Sequence, residues 1–165
     1  MIESVAIRRA EEKDIPAILA IQSDALNALR VPIGRYSAQE WQGFFNDPRI
    51  FTYLCETDRP FGFVTAGAPL EDFFMDGEHG ELIAVNILPT HREHGYGKKL
   101  LVHGISVLKR RNFKRAIVWA ANENERAIAI IERLGFNPNG AVRITNRGDA
   151  SQQEHCYQLD LEEYF

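Results

Sequence analysis

The chain has 165 residues, 45% of them hydrophobic, and carries a net charge of −4. That size and apolar content suit one domain spanning residues 1–165 around a single substantial core. No apolar run approaches the ~20 residues needed to cross a bilayer, and the charge is wrong for a broad nucleic-acid surface, so neither partner is expected.

"VAIRR" (5–9) predicts a short opening strand. Asp14 is placed to cap a helix with Pro16 in its first turn, and Ile15, Ile18, Leu19, Leu26 and Leu29 give it an apolar stripe. "VPIG" (31–34) breaks that helix. Ser37 and Glu40 form a capping-box pattern for a second helix carrying Trp41, Phe44 and Phe45. "FTYLCE" (51–56) and "FGFVTAG" (61–67), separated by "TDRP", read as an antiparallel hairpin. An irregular acidic loop (68–80) leads to a strand, "ELIAVNIL" (81–88), which Pro89 ends. A helix from about Gly97 to Arg111 follows, with Leu101, Ile105 and Leu108 on one face. Then come a strand (115–120), a helix (122–134) stopped by Gly135, and closing strands at 141–145 and 154–161. The order predicts an α/β fold: a single mixed, mostly antiparallel twisted sheet flanked by helices.

The N-terminus lacks the charged, apolar and small-residue succession of a signal peptide. Cys55 and Cys156 stand too far apart for a metal or redox spacing, so reduced thiols and a cytoplasmic setting are expected. Charge is unevenly spread. From His91 to Arg115 there are eight Lys or Arg against one acid, so this segment carries +7 and the remainder −11. From Pro60 to His91 there are five acids and no Lys or Arg. A compact anion bound at one place fits this pattern better than a long polyanion does; a solvated helix face is the plainer alternative.

"HREHGYGKKLL" (91–101) puts two glycines, Gly95 and Gly97, between an apolar strand and a helix. Strand, glycine turn and helix together make an anion site, because orphan N–H groups at a helix start point outward and the helix dipole favours negative charge there. Glycine removes the Cβ that would hold a phosphate off those donors. The spacing is neither that of the Walker loop nor that of the dinucleotide fingerprint, which requires glycine where Leu100 stands. What remains is R-x-x-G-x-G, Arg92 to Gly97. A glycine pair serving only packing is the competing explanation.

"GELIAVNILPTHREHGYGKKLL" (80–101) resembles the coenzyme A-binding motif of the GNAT acetyltransferase superfamily, from Glu81 through Pro89 and R-x-x-G-x-G to Leu100–Leu101. "VWAANENERAIAIIERLGF" (118–136) resembles that family's later strand–helix segment, with Trp119, Asn124, Ala127 and Leu134-Gly135-Phe136 at family positions. The two stretches cover about a quarter of the chain. The resemblance implies a GNAT-like acyl-CoA fold and an N-acetyltransferase that moves an acetyl group from acetyl-CoA to a primary amine by direct attack. It implies that the pyrophosphate lies on Arg92, Glu93, His94, Gly95, Tyr96, Gly97 and Lys98, mostly through backbone amides. It also implies that the pantetheine arm meets backbone at Asn86 and Ile87, and that Asn124 lies close to the cofactor unless it bonds only its own helix start. The acceptor, expected to be cationic from the acidic segment, is the second partner; a homodimer is compatible with the reading.

A primary ammonium with pKa about 10.4 is only about 0.04% neutral at pH 7, so attack needs a proton acceptor. Glu81 matches the position of the general base in some family members, with His79 as runner-up and a purely structural carboxylate as the alternative. Many members carry a tyrosine proposed as general acid where this chain has Ile131; water or Tyr157 could stand in. That departure keeps a catalytically silent CoA-binding or sensing domain as the second reading. No metal site is expected, because His91 and His94 fall in the turn that the anion reading explains.

Overall fold

The computed structural model describes residues 4–29, 35–147 and 150–164. The helix break expected at 31–34 and part of the turn between the closing strands lie outside these residues. The described chain runs β1 (Ala6–Arg9), α1 (Ile15–Leu29), α2 (Ala38–Asn46), β2 (Ile50–Glu56), β3 (Pro60–Gly67), β4 (His79–Ile87), α3 (Tyr96–Arg110), β5 (Arg115–Ala121), α4 (Glu125–Arg133), β6 (Asn137–Arg147) and β7 (Ala150–Asp160). These strands form a seven-stranded sheet in the order β1-β2-β3-β4-β5-β7-β6. All neighbours are antiparallel except β4 and β5. The mixed, mostly antiparallel sheet expected from the sequence is therefore what forms.

Two clusters bury the two faces. On one face α3 lays Leu100, Leu101, Ile105 and Leu108 against Val64, Ala66 and Leu82, and Ile131 of α4 joins them over β5 and β7. Gly104 permits the close approach, since a Cβ there would meet Leu82 at 2.7 Å. On the other face α1 and α2 pack Ile18, Ile21 and Trp41 on Leu54 and Phe63. The Ser37–Glu40 capping box forms as the spacing predicts: Glu40 N–H donates to Ser37 Oγ at 3.1 Å and Ser37 N–H to Glu40 Oε1 at 3.0 Å.

The entry to α1 differs from expectation. Asp14 ends a short 3-10 turn (Glu12–Asp14) instead of capping α1, and its carboxylate accepts from Glu11 N–H at 2.8 Å. Arg8, six residues back, holds it there with two bonds of 2.9 and 3.0 Å. The acidic stretch 68–80 is also more ordered than a bare loop: it contains a 3-10 turn (Asp72–Phe74), and β4 already begins at His79. Phe74 from this stretch packs against Ile117, Trp119 and Cys156, roofing the sheet face that α1 and α2 leave open.

The feature that makes a site is a split in the sheet. β4 and β5 pair in parallel only from His79↔Arg115 to Leu82↔Val118. At that point β4 slips register against β3: Ala66 faces Leu82 but Thr65 faces Ala84, leaving Ile83 as an extra residue. A bulge bends its strand and sharpens its twist. Beyond it, β4 (Ile83–Ile87) and β5 (Trp119–Ala121) run on without pairing to each other.

Candidate active site

The split opens into a cavity of about 400 Å³. Its walls are the unpaired ends of β4 and β5, and it reaches from the glycine turn at one end to Tyr36, Arg143, Thr145, Gln152 and Glu154 at the other. Asn86 and Ile87 line it. Their backbone pairs with β3 on one side, at Phe63 and Gly62, while the side toward β5 has no strand partner.

At the turn, Arg92, Glu93, Gly95, Tyr96, Gly97 and Lys98 all line the cavity. Glu93 and Gly95 adopt left-handed backbone, φ 67° and 80°, which folds the turn back over the start of α3. Gly95 is the N-cap and offers no side chain to the helix; the first helical bond runs from Lys99 N–H to Gly95 O. The N–H groups of Tyr96, Gly97 and Lys98 are thus free of intrahelical partners. The two glycines have different reasons. Gly95 needs its positive φ. Gly97 sits in ordinary helix, and a Cβ there would meet nothing within 4 Å. Packing therefore does not require glycine at 97.

Other turn residues serve the frame. Arg92 donates from Nη2 to the carbonyl of Ala25 at 3.0 Å, tying the turn to α1, and burial lowers its pKa. His91 stacks on Phe61, rings 4.2 Å apart and 10° from parallel. His94 does not line the cavity; its ring lies 6.0 Å from that of Tyr96. Asn124 lines the cavity, but its Oδ1 caps α4 by accepting from Ala127 N–H at 3.2 Å. The helix-start role thus accounts for its carbonyl oxygen.

The two base candidates are placed differently. Glu81 is 1% exposed. Its Oε1 accepts from Leu70 N–H at 3.0 Å, and desolvation pushes its pKa up to about 7. Glu81 does not itself line the cavity, yet Tyr36, Arg143 and Glu154, which do, lie within electrostatic reach of it. His79 stands at the opposite end of β4 from the split. Its Nδ1 is bonded to Asp76 at 2.7 Å and its ring packs toward Phe74, so the fold does not bring it to the cavity.

Ile131 lines the cavity, in the wall where the resemblance puts a tyrosine. Tyr157 does not; it is buried in the core cluster that includes Ile131. Sequence reasoning missed the far end altogether. Arg143 bonds Glu154 through Nε and Glu71 through Nη1, both at 2.9 Å, and its guanidinium lies 4.4 Å from the ring centre of Trp119. Thr145 Oγ1 adds a 2.8 Å bond to the same oxygen of Glu154. Tyr36 is held by its backbone, which exchanges two 2.9 Å bonds with the buried amide of Gln22. Burial, with Glu81 next in weight, pushes its phenol up to about 12, so it stays protonated. The available signal was the alternation of Arg143 and Thr145 on one strand face; using it requires the register Arg143↔Glu154. Among the described residues, no group of three or more His, Cys, Asp or Glu is placed to hold a metal ion, and no helix is long and apolar enough to cross a membrane.

The chain is similar to known proteins along most of its length. It is 29% identical over 100 residues to mycothiol acetyltransferase of Rhodococcus erythropolis, a match covering 58% of this chain and 32% of that protein, so the likeness takes in about a third of the relative. It is 25% identical over 129 residues to the uncharacterized N-acetyltransferase YuaI of Bacillus subtilis, covering 73% of each. The fold is similar to that of NAA60 of Arabidopsis thaliana solved in complex with acetyl-CoA, with a TM-score of 0.77 and 16% identity over 96% of this chain and 99% of that one. Residues 7–136 match the Acetyltransferase (GNAT) family, and the chain belongs to that family.

Proposed function

We propose that this protein is an acetyl-CoA-dependent N-acetyltransferase acting on a cationic primary amine. The observation that carries the reading is the continuity of one cavity from the Gly97 turn, through the unpaired edge of β4, to the end lined by Tyr36, Arg143 and Glu154. Acetyl-CoA is a long, bent ligand with an anionic head, and the relative solved with it shares this fold. Its pyrophosphate would lie on the amides of residues 95–98, and its pantetheine arm would extend the ladder at Asn86 and Ile87. The thioester would then face the split, between the Glu81–Arg143–Glu154 end and Ile131.

The chemistry asks little beyond position and one base. The amine nitrogen attacks the thioester carbon, and Glu81, which does not itself line the cavity, takes the proton shed by that nitrogen through one water. A carboxylate with pKa near 7 suits this task better than an ordinary one. The C–S bond then breaks and its electron pair leaves on sulfur. A thiol with pKa about 8.5 leaves tolerably as thiolate, so Ile131 need not be fatal. Glu71, Glu81 and Glu154 outnumber Arg143, which favours a cationic acceptor.

Calorimetric titration of acetyl-CoA into Gly97→Val tests the cofactor half: affinity should fall at least 100-fold in a protein that still melts cooperatively, because the new side chain fills the anion approach. Wild-type affinity would refute it. The second reading, a silent CoA-binding domain, draws on Ile131. Thiol release from acetyl-CoA with a panel of amines and peptides separates the two, since binding without acceptor-dependent release would favour silence.

A further inference from the structure

We propose that Arg143 is a positioning residue for acetyl transfer: it locks the loop that supplies the hydrogen bond to Glu81 and fixes Glu154 at the cavity wall. The inference rests on the reading of Glu81 as the base. Its ground is a chain of contacts across three separate segments. Arg143 Nη1 holds Glu71 at 2.9 Å, Glu71 is the neighbour of Leu70, and Leu70 N–H donates to Glu81 Oε1 at 3.0 Å. The other arm, Nε, holds Glu154 Oε1 at 2.9 Å, and the guanidinium carbon lies over the Trp119 ring, 4.4 Å from its centre. One planar fork therefore sets the loop, the strand β7 and the indole at once, which a flexible lysine could not do.

The same fork sets the charge that Glu81 feels. The titratable groups facing Glu81 are Tyr36 from the segment before α2, Glu71 from the loop, Arg143 from β6, and Glu154 and Cys156 from β7. Arg143 is the cation among them. It opposes the desolvation of Glu81 and the repulsion from Glu71 and Glu154. Without it the buried carboxyl would hold its proton to a higher pH, and would lose the fixed loop N–H as well.

The test is the pH profile of kcat for wild type, Arg143→Gln, Arg143→Lys and Glu81→Gln, with acetyl-CoA affinity measured alongside. Arg143→Gln should move the acidic limb upward by about one pH unit and leave acetyl-CoA affinity unchanged. Arg143→Lys should return the limb toward wild type, because charge is restored, while kcat on the plateau stays several-fold low, because the fork is not. If the limb stays at its wild-type pH in Arg143→Gln but disappears in Glu81→Gln, the base reading stands and the role of Arg143 is overturned. If a limb remains at its wild-type pH in Glu81→Gln, the base reading itself fails and takes this inference with it.

Discussion

Asp14 and Glu81 are both buried carboxylates, 8% and 1% exposed, and their surroundings drive them in opposite directions. Asp14 accepts two bonds from Arg8 and one from Glu11 N–H, and the Arg8 guanidinium lowers its pKa below the usual range. Glu81 accepts a single backbone bond, from Leu70, and desolvation raises its pKa to about 7. A carboxylate with its donors supplied ties a strand to a helix start. One left short of donors is costly to ionise, which is poor for stability and useful for moving protons near neutral pH.

Stability measurements can break this contrast. Glu81→Gln keeps an acceptor for Leu70 and carries no charge to desolvate, so it should be more stable than wild type at pH 8, by up to about 3 kcal/mol. The folded pKa lies above the unfolded value. Wild type therefore loses stability as pH rises from about 4.5 to about 7, and the advantage of the variant should grow across that window and then level off. Thermal melts at several pH values read this directly; a Glu81→Gln protein less stable at pH 8 would mean the carboxylate is structurally satisfied after all.

Asp14→Asn should do the reverse, costing about 1–2 kcal/mol at neutral pH. Here the folded pKa lies below the ordinary 3.8, so the contribution of Asp14 is present above about pH 4 and is lost as pH falls through the folded value. Denaturant midpoints at pH 7 and pH 3 should show the gap closing in acid. A smaller effect is expected at the opposite wall of the cavity. Ile131→Tyr should change kcat or KM by several-fold: a rise in kcat if thiolate departure is limiting, a rise in KM if the acceptor uses that space. No change in either would mean that residue 131 lies outside the reacting region.

The two ends of the cavity also differ in how far they could be read from the chain. The glycine turn was legible because it is local: strand, turn and helix start lie within about twenty residues, and its shape is set by backbone alone. The Ser37–Glu40 box was legible for the same reason. Arg143, Glu154 and Tyr36 were not, because they meet only through the register of β6 on β7 and the amide clamp of Gln22. Polar composition hid the length of those strands. They were expected at 141–145 and 154–161 and run from Asn137 to Arg147 and from Ala150 to Asp160, with Asn137 and Pro138 paired across an irregular register. Asp14 was misplaced as a cap because its position is set by Arg8 from the preceding strand. Glu81 was legible as a candidate, but its single donor and its separation from His79, which is hydrogen-bonded to Asp76, emerge only from the fold.

The measurement that bears most directly on the account is kcat of Glu81→Gln against wild type, with a cationic amine acceptor, across roughly pH 6 to 9. The variant should bind acetyl-CoA as wild type does and lose about 10²–10⁴ in kcat at neutral pH. Part of that loss should return toward pH 9, where more of the acceptor is already neutral. Wild-type kcat in Glu81→Gln throughout that range would contradict the account, and would move the search for the base to Glu154, which lines the cavity beside Arg143.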